Sequence, residues 1–191
     1  MITGIWNRET FVENLRAIGA RAYHDKHSFH LAMNEGRLPP KVLRRWVANR
    51  FYYQRNIPVK DAAILSNCPV RDVRRIWIHR IIDHDGDATR RGGLQAAQSG
   101  EISAAGKPPP LGEGGIEAWL RLGESCGLSR AELMDDRHVQ PGVRFAVDAY
   151  VNFARTRPWP IASAYSMSEL FLTDQPASQQ AVWQHFTPCN C

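Results

Sequence analysis

The fold class is decided by PPKVLRRWVANRFYYQRNIP, residues 39–58. Pro39 and Pro40 suit the first turn of a helix, where the backbone N–H that proline lacks would have no partner within the helix. The helix is predicted to run through RRWVANRFYYQRN to Pro58, which removes a backbone donor and predicts a kink. This stretch therefore predicts one long helix.

Helical patterns lie on both sides of this stretch. Upstream, Phe11, Leu15 and Ile18 recur with the spacing of one face of an amphipathic helix, and Asn7 can cap its start. Downstream, helices are predicted after Pro69 up to Gly86, over IEAWLRLGESC up to Gly127, after a Ser129–Glu132 capping box, and over residues 141–154 and 161–172.

The sequence favours an all-α bundle, because it lacks the alternating pattern and the Asn-Gly turns of β-hairpins. Its length of 191 residues fits one domain, residues 1–191. Residues 88–115 are rich in Gly, Ala, Ser and Pro and have no apolar period, so they are predicted to form a long, mobile loop.

The composition argues against several classes of protein. Hydrophobic residues make up 43% and charged residues 23% of the chain, as in ordinary globular proteins. No apolar run approaches the ~20 residues that span a bilayer, and the N-terminus lacks a signal-peptide pattern, so we expect a cytoplasmic protein without a membrane partner. The four cysteines form no CxxC pair, so we expect reduced thiols. The net charge of +5 is spread along the chain, which makes nucleic-acid binding a distant alternative.

Two polar stretches are candidates for one enzymatic site that takes a small, carboxylate-bearing molecule: residues 46–60 and 80–87. In the first, Arg50, Tyr53 and Gln54 lie at i, i+3 and i+4, which places a cation, a phenol and an amide on one helical stripe. The alternative is a solvated helix face, because charged stripes are usually exposed. The consecutive rings of NRFYYQ favour packing of at least one ring near the polar groups.

In the second stretch, Arg80 and His84 lie one helical turn apart and share a face with Trp77 and Ile81. An imidazole there can transfer protons near neutral pH while the arginine holds a negative charge of the ligand. The alternative is a histidine that only interacts with the macrodipole at the end of its helix.

Metal sites have little support in the sequence. The acidic run at residues 83–87 begins like a calcium loop but has Ala88 where the loop needs glycine. His24, His27 and His30 recur every three residues without a carboxylate at ligand spacing. We therefore expect no metal.

Several long segments resemble one family when taken in order. They are YHDKHSFHLAM (23–33), WVANRFYYQRNIPVKDAAILSNCP (46–69), RIIDHDG (80–86), GGIEAWLRLGESCGLSR (114–130), RHVQPGVRFAVDAYVNFAR (137–155) and SMSELF (166–171). Together they resemble the pyrroloquinoline-quinone synthase family (coenzyme PQQ synthesis protein C) of the haem-oxygenase-like superfamily. The resemblance extends from about Phe11 to Phe171, apart from residues 88–114, which look like an insertion.

The resemblance implies a haem-oxygenase-like helical bundle that forms a homodimer. It implies the final ring closure and oxidation in the biosynthesis of pyrroloquinoline quinone (PQQ). The substrate would be a small tricarboxylate quinone precursor, O2 would be the co-substrate, and PQQ and H2O2 would be the products. No metal or organic cofactor is implied.

The resemblance also implies roles for individual residues. Those with a catalytic role would be His24, His84, Arg50, Gln54 and Tyr53. Those that bind substrate would be Tyr23, Lys60, Arg80, Tyr150 and Glu169. His84 would act in proton transfer and the oxygen pocket, His24 and Gln54 would orient the substrate, and the cations would hold its carboxylates.

The sequence departs from the family pattern in its last part. Pro176 and Gln179 stand where the family has an active-site histidine and arginine, and the family continues with helices that supply a tyrosine, an arginine and a lysine. We therefore expect a bundle without its C-terminal helices and with weakened catalysis. The alternatives are a catalytically impaired homologue that binds substrate or product, and a relative that uses another substrate or a metal.

Overall fold

The computed structural model describes residues 6–87 and 112–166, which contain helices and turns but no strand. Eight α-helices, α1 to α8, cover Arg8–Ala22, Ser28–Asn34, Pro40–Asn67, Arg71–Asp85, Gly115–Ser125, Arg130–Met134, Pro141–Thr156 and Trp159–Tyr165. Short 3₁₀ turns lie at His24–Lys26 and Asp136–His138. The predicted all-α class is confirmed. Within the two described ranges, no helix is long and apolar enough to cross a bilayer.

The chain divides into two compact units. Of the described residues, 6–39 and Ser166 belong to the first unit, which holds α1 and α2. Residues 40–87 and 112–165 belong to the second unit, which holds α3 to α8. The prediction of a single domain stays a prediction. Most of the predicted loop, residues 88–111, lies outside the described residues.

The helices of the first unit begin at local caps. Asn7 Oδ1 accepts a hydrogen bond from Thr10 N at 2.8 Å, which confirms the predicted start of α1. The periodic side chains of α1 do not form a fully buried stripe, since Phe11 is 37% and Ile18 is 51% exposed. At the start of α2, His27 Nδ1 accepts from Phe29 N at 3.2 Å. His27 therefore has a structural role as a helix cap.

The long helix α3 is the centre of the second unit and contacts α4, α5, α6, α7 and α8. It has 28 residues, which corresponds to ~42 Å at the usual rise per residue. Pro40 occupies its first turn as predicted, and the helix continues beyond Pro58. Val47, Phe51 and Ile64 are completely buried along α3. Packing of this face compensates for the backbone donor that Pro58 lacks.

Two apolar clusters hold the other helices against α3. One cluster joins α3 to α4, α7 and α8 through Ala63, Ile64, Trp77, Ala154 and Ala162. The other joins α3 to α6 through Val47, Phe51 and Leu133, with partly buried residues of α5 packed against it. Gln54 and Asp61 lie on α3 between the two clusters. Packing on both sides therefore holds this part of α3 in place.

Glycines bring the end of α4 against the start of α5. Gly86 ends α4 with a φ of 87°, a conformation that glycine adopts without a Cβ penalty. Asp87 N donates a hydrogen bond to Gly112 O at 2.9 Å. A Cβ on Gly114 would overlap with the backbone oxygen of His84. This close approach of two backbones is possible because Gly86 on one side and Gly114 on the other have no Cβ.

The remaining helices follow the predictions closely. Glu132 N donates to Ser129 Oγ at 3.2 Å and Ser129 N donates to Glu132 Oε2 at 2.8 Å, which confirms the capping box. The helix α7 extends beyond the predicted end at residue 154 to Thr156. The helix α8 begins at Trp159, before the predicted start at residue 161, and residues 167–172 of that prediction lie outside the described residues.

Candidate functional site

The candidate site lies where α3, α4 and α7 meet in the second unit. The helices α3 and α4 run in opposite directions, since Gln54 contacts His84 whereas Asp61, further along α3, contacts the earlier residue Arg80. The two polar stretches predicted from the sequence therefore lie side by side. The predicted residues in this region are Arg50, Tyr53, Gln54 and Lys60 of α3, Arg80 and His84 of α4, and Tyr150 of α7.

The first feature of the site is a contact between an amide and an imidazole. Gln54 Nε2 lies 3.2 Å from His84 Nδ1. When the amide nitrogen of Gln54 donates to Nδ1, the neutral ring carries its proton on Nε2. Gly115 packs against this pair. A Cβ on Gly115 would lie 3.4 Å from His84 Nδ1 and 3.6 Å from Gln54 Nε2. These contacts constrain the orientation of the His84 ring.

The second feature is a buried cluster of charges further along α3. Lys60 is 1% and Asp61 0% exposed, and Lys60 Nζ forms an ion pair with Asp61 Oδ1. Arg80 Nε lies 3.4 Å from Asp61 Oδ2. Burial lowers the pKa of Lys60, and the negative charge of Asp61 opposes this shift. One carboxylate thus contacts two cations that come from two helices.

Aromatic rings surround these cations. Lys60 Nζ lies 5.1 Å from the ring centre of Trp77 and 5.2 Å from that of Tyr150. The guanidinium carbon of Arg80 lies 5.0 Å from the ring centre of Trp77. A cation within ~6 Å of a ring face is attracted by the ring quadrupole. Trp77 therefore stabilises both cations without neutralising either charge.

Further contacts between rings and a cation lie closer to the start of α3. The guanidinium carbon of Arg50 lies 4.2 Å from the ring centre of Tyr53. The rings of Tyr53 and Tyr150 are stacked, with centres 6.0 Å apart and an interplanar angle of 26°. Gln54 is only 8% exposed. The stripe is therefore not a simple solvated face, and the prediction that a ring of NRFYYQ packs near its polar groups is confirmed.

The other predicted site residues are not among the described residues of the second unit. Tyr23 and His24 are in the first unit, where their ring centres are 4.2 Å apart and the His24 ring lies 4.5 Å from that of His30. Their place in the same site as His84 stays a prediction. Residue Glu169 lies outside the described residues, as do positions 176 and 179. In the described part of the chain, no group of three or more His, Cys, Asp or Glu side chains is arranged to hold a metal ion.

Two residues of the site were not predicted from the sequence. Asp61 lies seven residues after Gln54, a spacing that places both on the same face of a helix, and this signal could have identified it. Gly115 gives no such signal, because its importance depends on the contact between α5 and the Gln54–His84 pair.

An open groove of about 550 Å³ lies beside this site, and its lining includes Pro58, Val59, Ile81 and Asp85. None of the seven predicted residues of the α3–α4–α7 region lines it. Partial burial raises the pKa of Asp85, and the electrostatic effect of a protonated His84 would oppose this shift. Because it shares no lining residue with the seven predicted ones, the groove is separate from the candidate site.

Comparison with known proteins identifies the family. The model of the TENA/THI-4/PQQC family matches residues 12–187. The chain belongs to the TENA/THI-4/PQQC family. This family has a haem-oxygenase-like helical fold, so the predicted fold is confirmed together with the family resemblance.

Several curated relatives are about half identical to this chain. The pyrroloquinoline-quinone synthase of Klebsiella pneumoniae is 48% identical over 187 residues, which cover 97% of this chain and 65% of the relative. That of Ectopseudomonas mendocina is 51% identical over 177 residues, covering 92% and 62%. That of Pseudomonas aeruginosa is 48% identical over 182 residues, covering 95% and 64%. The chain therefore spans slightly less than two thirds of the length of these relatives.

Proposed function

We propose that this chain acts in PQQ biosynthesis as a pyrroloquinoline-quinone synthase. In this proposal it performs the final ring closure and oxidation of a tricarboxylate quinone precursor, without a metal or organic cofactor. Each two-electron oxidation transfers two electrons and two protons from the substrate to one O2, which gives one H2O2. The names of relatives that are 48 to 51% identical support this proposal.

The observation that carries the proposal is that the Gln54–His84 pair lies next to the Lys60–Asp61–Arg80 cluster. His84 and Arg80 are four residues apart on α4, which is about 6 Å along the helix axis. A group that can exchange protons and a group that can hold a carboxylate are therefore within reach of one small molecule. This combination is what a proton-removing reaction on a carboxylate substrate requires.

We assign the carboxylates of the substrate to the cations. The guanidinium of Arg80 can bind both oxygens of a carboxylate at once, whereas the ammonium of Lys60 acts as a compact point charge. Arg50 lies against the Tyr53 ring at the other end of the site and is assigned to a second carboxylate. The stacked rings of Tyr53 and Tyr150 are assigned to the planar part of the substrate.

We assign proton transfer to His84. Ring closure and oxidation remove protons from the substrate and deliver protons to reduced oxygen. Because Gln54 occupies Nδ1, the exchange with the substrate takes place at Nε2. Positive charge at Arg80 stabilises the negative charge that develops on the substrate when a proton leaves.

The remaining parts of the proposal rest on the family resemblance. Tyr23, His24 and Glu169 are assigned to substrate binding and orientation. The proposal also includes a homodimer and a cytoplasmic location.

A second candidate function is a homologue with impaired catalysis that binds the substrate or PQQ. The observation in its favour is the presence of Pro176 and Gln179 where the family has a histidine and an arginine. A site that has lost positioning groups can retain affinity while its rate falls by orders of magnitude.

The test is turnover by the purified chain supplied with the family's substrate. Oxygen uptake, H2O2 and quinone absorbance are measured for the wild type, for His84→Ala and for His79→Ala, an exposed histidine on the same helix. We expect quinone from the wild type and His79→Ala, and a rate at least about 100-fold lower from His84→Ala. Tight PQQ binding without any turnover would replace the synthase with the second candidate, and absence of both would overturn the two functions.

A further inference from the structure

Asp61 is the buried residue that contacts two cations of the site, Lys60 and Arg80. Its side chain is 0% exposed, and its two carboxylate oxygens face different partners. Oδ1 forms the ion pair with Lys60, and Oδ2 lies 3.4 Å from Nε of Arg80. Because Lys60 is on the same helix and Arg80 on the neighbouring one, Asp61 fixes the cations relative to each other across the α3–α4 contact.

We propose that Asp61 is a positioning residue that holds Lys60 and Arg80 side by side, both charged, as a receptor for one carboxylate of the ligand. This inference rests on the proposed function, because it assumes that the ligand carries carboxylates. Asp61 acts through the two cations and does not itself need to touch the ligand.

Electrostatics explains why such a residue is needed. Two cations brought together in a site of low dielectric repel each other, and burial alone drives a lysine towards its neutral form. Within residues 6–87 and 112–166, the titratable and charged groups that act on Lys60 include Tyr53 and Asp61 of α3, Arg80 of α4, and the ring of Tyr150 of α7. Among them, Asp61 opposes the effect of burial most strongly and Arg80 adds to it.

A purely structural ion pair is a poor explanation for this arrangement. Buried ion pairs contribute little to stability, because the cost of removing two charges from water offsets their attraction. Moreover, the Arg80 side chain is 22% exposed, whereas those of Lys60 and Asp61 are 1% and 0% exposed, so Arg80 is the member of the cluster that solvent reaches. A receptor for an anion requires a cation that the ligand can reach and a buried group that holds this cation in place.

The first test needs no ligand. The chain has few lysines, at positions 26, 41, 60 and 107, so the protonation of Lys60 can be followed by NMR of protein labelled at the lysine side chains, with Lys60→Arg for assignment. We expect the Lys60 signal to titrate at lower pH in Asp61→Asn than in the wild type. Asp72→Asn is the control, because Asp72 is exposed on α4 and pairs with Arg75.

The second test uses PQQ itself as the probe. Asp61→Asn should weaken PQQ binding at least about tenfold, and the loss should grow as pH rises, because Lys60 releases its proton earlier in the variant. Adding Lys60→Arg to Asp61→Asn should remove this extra pH dependence, since arginine stays protonated. A merely structural role would lower affinity by the same factor at every pH.

The outcomes separate this inference from the proposed function. If wild-type chain does not bind PQQ, the proposed function fails, and the lysine titration still tests Asp61. If the Lys60 titration is the same in Asp61→Asn and in the wild type, the inference is wrong even if PQQ binds. Should Asp61→Asn not fold, Asp61→Glu takes its place. It keeps the charge, so a Lys60 titration near that of the wild type supports the inference, and one shifted to much lower pH contradicts it.

Discussion

The side-chain nitrogen of Gln54 lies 3.2 Å from Nδ1 of His84, and this contact connects the two helices that carry most of the polar groups of the site. It links a residue from the middle of α3 to one at the end of α4. A histidine held in this way presents a defined nitrogen to a ligand. The proposed role of His84 in proton transfer rests on this contact.

Replacing Gln54 with leucine should reduce turnover far more than ligand affinity. The variant keeps the volume of the side chain but leaves the imidazole free to rotate, and a misplaced catalytic group can cost about 100-fold in rate. Steady-state kinetics with the proposed substrate provide the measurement. The control is Gln140→Ala, which removes an exposed amide that bonds Arg45 at the surface. An unchanged rate in Gln54→Leu would show that the contact has no part in catalysis.

A methyl group at Gly114 should destabilise the second unit. The Cβ would overlap with the backbone oxygen of His84, and overpacking of this kind typically costs about 1–3 kcal/mol. Gly142→Ala is the matched control, because nothing lies within 4 Å of its Cβ position. That variant should instead be more stable by about 0.5 kcal/mol, since alanine loses less backbone entropy on folding. Urea unfolding measures both, and equal stabilities for the two variants would contradict the close approach of α4 and α5.

Asp85 should make stability depend on pH. Its pKa is raised in the folded state, mainly by burial, so the folded protein binds more protons than the unfolded chain at pH values above the ordinary aspartate pKa of about 3.9. The contribution of Asp85 to stability therefore falls as pH rises from about 3.9 through the raised pKa.

The variant Asp85→Asn tests this dependence. At neutral pH it should be more stable than the wild type, and the difference should vanish at acidic pH, where both states of the wild type are protonated. The effect should be small, because Asp85 keeps part of its surface exposed. Urea unfolding at several pH values measures the difference. A difference that is constant with pH, or one that is larger at acidic pH, would contradict the raised pKa.

Removal of the Arg80 guanidinium should weaken the binding of PQQ. Hydrogen bonds to charged groups are worth ~1.5–3 kcal/mol, so Arg80→Ala should raise the Kd by about 10- to 100-fold. Arg80→Lys should give an intermediate Kd, since it keeps the charge and loses the planar fork. Isothermal titration calorimetry measures these values. Arg75→Ala, which alters an exposed arginine paired with Asp72 on the same helix, should bind PQQ like the wild type.

The sequence was sufficient to predict the features that depend on residues close together in the chain. The cap at Asn7 and the capping box at Ser129 follow from spacings of three residues, and the structure contains both. The stripe of Arg50, Tyr53 and Gln54 was also predicted, because helical periodicity alone places these residues on one face.

Features that depend on contacts between helices could not be predicted. The end of α3 at Asn67 depends on the burial of its apolar face against other helices. Phe11 and Ile18 have the period of a buried stripe but remain partly exposed. The central place of Asp61 depends on which residue of α4 lies opposite, and a one-dimensional pattern does not contain that information.

The central claim is that the region between α3 and α4 is the site for a carboxylate-bearing quinone or its precursor. A crystal structure of the full chain grown with PQQ tests this claim most directly. We predict that one carboxylate of PQQ contacts both Lys60 and Arg80 and that the ring system lies within reach of Nε2 of His84. PQQ bound elsewhere, for instance in the groove lined by Pro58, Val59 and Asp85, with no contact to Arg80 or His84, would contradict the account.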